Sequence, residues 1–226
     1  MSESPASDAS EAVVDLLGAL AYAELTGFLR LAEDAARLAP SLTDRGALSD
    51  LAVVEYGHFR LLHDRLSALG VDPEEAMAPF VASLDAWHTQ TSPGDWLEAL
   101  VKAYVGVGIA MDFYREVARH VDAETSALVE EAVADEGRAE FAVERVRVAL
   151  KEDARAAGRL ALWSRRLVGE ALSQAHRVAA ARPGLAALLV DLSPDGADLA
   201  EIGRLFARLT EAHNQRMATL GLVPTR

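Results

Sequence analysis

The sequence predicts an all-α protein: an antiparallel four-helix bundle with a long crossover between helices 2 and 3, and two additional C-terminal helices. Three observations predict it. Hydrophobic residues make up 51% of the chain but aromatics only 6%, so the apolar content is mostly Ala, Leu and Val, the composition of packed helices. Apolar residues recur at spacings of three and four through long stretches, which places them on one face of a helix. Pro40, Pro73, Pro79, Pro93 and Pro194 stand between those stretches. At 226 residues the chain can bury a sizeable core, and one compact domain with appended helices is expected.

Residues 1–10 are small, polar and acidic, without the basic start or apolar stretch of a secretion signal, and are expected to form a disordered tail. The bundle is expected over residues 11–152. Its first helix spans about Ser10 to Ala39, with Val13, Leu17, Leu20, Glu24, Phe28 and Leu31 on one face. A break at Pro40 to Thr43 follows, and Thr43 or Asp44 is placed to cap a second helix that runs to Gly70. Leu48, Leu51, Glu55, His58, Phe59 and Leu62 form its inward face, antiparallel to the first helix. Val71 to Pro93 carries three prolines and a short apolar piece from Phe80 to Trp87, the pattern of a crossover holding a brief helix. A bundle whose second pair of helices runs parallel to its first needs one such connection. The third helix is expected from about Gly94 to His120, capped by Ser92 or Asp95, with an inward stripe of Leu97, Leu100, Val101, Tyr104, Val107, Gly108 and Met111. After a turn at Val121 to Ala123, the fourth carries Val129, Val133, Glu136, Val143, Val146 and Leu150.

Residues 153–226 are expected to be a helical extension packed on the outside of the bundle. One helix covers Asp153 to Arg182, with a stripe of Leu160, Leu162, Leu167 and Leu172. After a Pro194-Asp195-Gly196 turn, another covers Gly196 to Leu220, with Leu199, Ile202, Leu205 and Leu209.

Composition also bounds the chemistry. The absence of cysteine removes disulfides, thiolate metal sites and cysteine nucleophiles, leaving carboxylates and imidazoles to hold any metal. A formal net charge of −13 repels nucleic acid and anionic membranes on average. The average hides a basic segment, since residues 154–182 hold six arginines against one acid. No apolar run approaches the roughly 20 residues that span a bilayer, so a cytoplasmic location and no membrane partner are expected.

A di-iron or di-manganese site in a bundle is built from one carboxylate on each of two helices and a Glu-x-x-His pair on each of the other two. Residues three apart project from one face of a helix, so the glutamate can bridge two metals while the imidazole ligates one. Glu55 and His58 have this spacing inside an apolar face. Asp85 and His88 share it but fall in the crossover, where a surface position is expected. Glu24 stands almost as far before the Pro40 turn as Glu55 stands after it, which puts the two at one height of an antiparallel pair. Buried carboxylates are costly unless they are paired, hydrogen-bonded or bound to metal. On the fourth helix Glu136 lies on the stripe but is followed three residues on by Ala139; in the neighbouring register Asp135 is followed by Arg138. On the third helix Asp112 is the only acid near the required height, and Val107 stands at the centre of the stripe. A metal-free network of Arg138 with Glu24, Glu55 and Asp135 would satisfy the same carboxylates.

At "AYAELTGFLRLAEDA", "EYGHFRLLHDRL", "YVGVGIAMDFYREVA" and "DEGRAEFAVERV" the chain resembles the ferritin-like superfamily over roughly Ala12 to Leu150. More narrowly it resembles MiaE-like proteins, relatives of the non-haem di-iron hydroxylase that oxidises the isopentenyl group of a modified adenosine in tRNA. The resemblance implies Glu24, Glu55, His58 and Glu136 as metal ligands. It puts the third-helix carboxylate near Val107, with Asp112 as a substitute, and the second histidine at Ala139 or Arg138; Asp135 and Glu140 are alternative fourth-helix ligands. It further implies iron as a di-iron cofactor and oxygen-dependent hydroxylation of a C–H bond, with tRNA backbone contacts expected at residues 154–182. The competing expectation is a metal-free or single-metal bundle whose last two helices serve self-association or partner binding.

Overall fold

A computed structural model describes residues 5–133, 138–185 and 199–222, which hold helices and connecting turns and no strand. Helix α1 spans Pro5–Leu38 and therefore takes in residues expected to be tail. Proline is favoured in the first helical turn, where its missing N–H has no partner to lose. The helix stops before Pro40, because the residue preceding a proline is disfavoured in helical conformation. Helix α2, Leu42–Ala68, packs antiparallel along α1 in the most extensive helix pair of the molecule. Its N-cap is Ser41, two or three residues before the expected caps. The Ser41 hydroxyl accepts the Asp44 N–H at 3.0 Å, and the Asp44 carboxylate accepts from Arg145 at 2.7 Å. Asp44 is thus held by a neighbouring helix, leaving the capping position to Ser41.

The crossover contains two short helices, α3 (Pro73–Met77) and α4 (Val81–Gln90), joined by one 3-10 turn at Ala78–Phe80. Asp72 caps α3, accepting the Glu74 N–H at 2.8 Å. Helix α3 lies directly against α1 at Gly18, where a Cβ would stand 2.7 Å from the Ala76 carbonyl carbon.

The third long helix is not uniform. It runs as α5 (Trp96–Val101), a π-helical turn (Lys102–Gly106) and α6 (Val107–Ala118), with Asp95 as N-cap. A π turn inserts one residue into the α-helical ladder and rotates everything after it about the axis. The expected stripe is displaced accordingly. Tyr104, Val107 and Gly108 are half-buried, while Lys102, Ala103, Val105 and Gly106 are buried. Gly106 admits the Trp87 ring of α4, which a Cβ would meet at 3.0 Å.

The fourth bundle helix is described as α7 (Ala123–Ala132) and α8 (Arg138–Glu152); residues 134–137 lie outside the described structure. Helices α9 (Ala156–Ala181) and α10 (Leu199–Leu220) follow. They are more than an outer layer. Leu160, Leu167 and Leu220 are fully buried in one apolar cluster with Trp87, Leu100, Val101, Val105 and Val146. Burying a leucine is worth about 1.5–3 kcal/mol, so the extension adds to the core it covers. Leu162 and Leu172, expected on the same inward stripe, point outward. Of the α10 stripe, Leu205 is buried, and the side chains of Leu199 and Ile202 lie outside the described residues.

A second cluster joins Leu16, Leu17 and Leu20 of α1 to Phe59, Leu62 and Leu66 of α2 and to Met111, Val117 and Val129. A third joins Leu31 and Ala35 to Leu48, Leu51 and Ala103. The stretch of α1 between Leu20 and Leu31 is therefore walled by apolar packing above and below. By length and composition Glu11–Leu38 could cross a membrane, contrary to the expectation that no apolar run approaches that length. Here it is a helix of the bundle, with 61% of its most apolar window buried.

Candidate metal centre

Glu24 lies between those two walls and is 0% exposed; across from it on α2, Glu55 is 1% and His58 8% exposed. Each offers a donor atom, and the three donors lie within 4.8 Å of one another. His58 Nδ1 stands 3.4 Å from Glu24 Oε2. The three-residue spacing on α2 turns Glu55 and His58 to α1 together, and the antiparallel pairing brings them level with Glu24, as expected from their distances to the turn. An ion with bonds of about 2.0–2.2 Å holds donors up to about 4.4 Å apart, so side-chain movements of a few tenths of an ångström close this set around one cation. Two carboxylates and an imidazole suit iron, manganese or zinc; the missing thiolates disfavour softer ions. The residues present fit a metal.

Two residues complete the site's walls. Gly27, one turn after Glu24, makes room for the Glu55 carboxylate, whose Oε2 would stand 3.1 Å from a Cβ there. Tyr114 of α6 is buried and near enough to Glu24 that burial, and then the carboxylate's charge, push its hydroxyl's pKa well up. Sequence reasoning passed over both. Gly27 had a signal, being a small residue three positions from a candidate ligand, whereas Tyr114 is brought to Glu24 only by the phase of α6 after the π turn. Tyr22 instead donates to Asp85 at 2.9 Å, and burial first, then this bond, push it up to about 12.

The remaining expected ligands do not join the group among the described residues. Asp112 is turned to the opposite side of α6. Arg216 of α10 forms an ion pair with it and also donates to the Gly108 carbonyl at 3.0 Å, while Arg115 stands 3.4 Å away. These cations account for an acid on the flank of the stripe without any metal. Glu140 is exposed on α8. Glu136 and Asp135 lie outside the described residues, as do the side chains of Arg138 and Ala139.

Arg216 also fixes α10 to α6. Arg216→Ala is expected to cost about 2–3 kcal/mol, since it leaves the partly buried Asp112 with one distant partner. Denaturant unfolding reads the loss, and amide exchange in α10 should accelerate. Unchanged exchange there would show that α10 docks by its apolar face alone.

His88 corrects a further expectation. It is 8% exposed, packed edge-on against Trp87 at 4.7 Å between ring centroids. Burial first, then the charges of Lys102 and Arg30, lower its pKa from 6.5 to about 3. The unfolded chain therefore takes up this proton first, so stability is fully present above pH 6.5 and is lost as pH falls toward 3. The loss is on the order of 5 kcal/mol. Asp34, pushed up to about 6 mainly by burial, works in the opposite direction, contributing stability that is present below pH 3.8 and lost as pH rises through 6. His88→Gln is expected to remove the acid-sensitive component, and the difference between its urea midpoints and those of the parent between pH 7 and 4 isolates it. Parallel pH profiles would sink this assignment.

Residues 7–192 match the protein family described as ferritin-like domain, actinomycetes. No curated protein matches the chain.

Proposed function

The chain belongs to that actinomycete ferritin-like family, and on this premise we propose that it is an iron-binding bundle whose metal centre is built on Glu24, Glu55 and His58. The observation that carries the proposal is the convergence of two buried carboxylates and an imidazole from α1 and α2 at one height of the bundle. Glu136, from the segment before α8, is proposed as a further ligand on the strength of the resemblance alone.

The finer proposal is a MiaE-like, oxygen-dependent hydroxylase. A bound pair of irons would supply reductive oxygen activation and insertion of oxygen into a C–H bond. The chain's own residues have definite parts. Glu24 and Glu55 supply negative charge to hold cations, and His58 supplies a neutral donor. Leu20, Phe59 and Leu62 pack the same two helices and keep water from the centre. Tyr114 stays protonated at physiological pH, so its hydroxyl is available as a hydrogen-bond donor beside Glu24.

Binding of tRNA through residues 154–182 is part of the same proposal, with Arg155 just before α9 and Arg165, Arg166 and Arg177 on it as exposed cations. Arg159 and Arg182 contribute less, being engaged with Asp95 and Glu98 and with Asp15. Residues 11–152 and 153–226 are proposed to fold as one unit in the cytoplasm, because α9 shares a core with α5 and the π turn.

Elemental analysis of protein purified from iron-supplemented cells tests the metal centre. Two irons per chain support the hydroxylase proposal, and one supports a simpler site on the three described ligands. Protein without iron, under conditions that load a ferritin-like control, would overturn both and leave the metal-free bundle.

A further inference from the structure

We propose that a cleft lined by α1, α4 and the π turn binds a small organic anion carrying a phosphate or carboxylate group, with Lys102 as its principal counter-charge. The cleft has a volume of about 230 Å³ and is lined by Arg30, Asp34, Arg37, His88, Thr89 and Lys102, with Glu33, Ser92 and Pro93 completing the wall. A water occupies about 30 Å³, so the space holds an oxyanion with a body of a few carbon atoms. Arg30 and Asp34 follow Glu24 by six and ten residues, which at 1.5 Å per residue places the cleft about 9–15 Å along α1 from the metal centre. The inference does not depend on that centre.

Lys102 is the first residue of the π turn and is 5% exposed. Its Nζ lies 4.8 Å from the centroid of the Trp87 ring, and among the described residues it has neither a hydrogen bond nor an ion pair within 4.0 Å. A cation–π contact recovers only part of what a buried ammonium loses with its water. Asp34, 6% exposed, is near enough to act on Lys102 through its charge without pairing with it. His88 Nδ1 is likewise buried without a hydrogen-bond partner. At the rim, Glu33 is gripped between Arg30 at 3.0 Å and Arg37 at 3.1 Å, which leaves further N–H groups on both guanidiniums to donate. Three cations against two carboxylates give the lining a net positive formal charge. An oxyanion would complete it, taking charge-assisted hydrogen bonds from Lys102 and the arginines and a neutral one from Ser92.

Proton uptake follows from the same geometry. Asp34 faces Lys102, Glu33, Arg37 and Arg30, with His88 neutral across the cleft. Its pKa stands at about 6 and that of Lys102, lowered first by burial, at about 8. An arriving anion favours the protonated form of both, so binding should tighten as pH falls from 8 to 6.

Titration calorimetry of the full chain with inorganic phosphate, and separately with succinate, tests the site. The expected result is one ion per chain for at least one of the two, and the tighter identifies the head group. Lys102→Met should weaken binding at least tenfold while preserving the melting temperature, because it replaces an isolated buried charge by an apolar chain of similar length. Arg30→Gln, at an exposed position, should weaken it several-fold and guards against a folding defect in the first variant. No binding of either anion, or binding unchanged in both variants, would overturn the proposal.

Discussion

Glu55→Ala and His58→Ala are each expected to reduce bound iron to less than about a tenth of the parent's content. Removing residues that merely orient metal ligands costs about 10–100-fold in affinity, and removing a ligand from so small a donor set costs at least as much. The two variants should differ in stability even as they agree in metal content. Glu55 is 1% exposed and packed against Gly27, so its truncation opens a cavity while deleting a buried charge. Glu55→Gln keeps the volume, and the expected result is a folded chain, by its circular dichroism melt, that still fails to hold iron. Iron retained at the parent stoichiometry in both Glu55→Gln and His58→Ala would remove these residues from the metal centre.

Gly18→Ala should lower stability by about 3 kcal/mol, near the upper end for overpacking. The new methyl group would collide with the Ala76 carbonyl, and the carbonyl is backbone, so no rotamer change relieves it. Either α3 lifts from α1 or α1 bends. In a chain of this size such a loss corresponds to about 6–12 °C in Tm. Gly57→Ala is the internal control. Nothing lies within 4 Å of a Cβ at that position on α2, so alanine there should add roughly 0.5–1 kcal/mol through helix propensity. Equal melting temperatures for the two variants would show that α3 is not seated on α1 as described.

The sequence announced α1, α2 and their shared site because both kinds of information are local there. Glu55 and His58 carry their own spacing, and Glu24 needed only the distance to the Pro40 break. Position 88 was misjudged because crossovers usually run over the surface, whereas this one buries both Trp87, whose ring meets Gly106, and His88. The ion pair of Asp112 was not legible because its partner Arg216 is more than a hundred residues away, and composition gives no hint of that meeting. Leu162 and Leu172 were placed inward by a period that Leu160 and Leu167 do obey; α9 buries a narrower strip than the leucine count suggests. Tyr114 and the cleft at Lys102 depend on a helix that is not α-helical throughout. A 3.6-residue period contains no instruction for a π turn, so the stretch from Tyr104 to Gly108 was read out of phase, while Met111 further along is buried as expected.

The π turn also bears on how this chain is compared with its relatives. Five residues there advance the chain about as far as four would in a regular helix. Aligned without a gap against a relative whose helix is straight, every position beyond Gly106 is matched to a neighbour about 100° around the axis. A ligand judged lost at Val107 is then judged at the wrong residue. One gap placed between Lys102 and Gly106 restores the correspondence, and with it a fair test of which acids descent has kept.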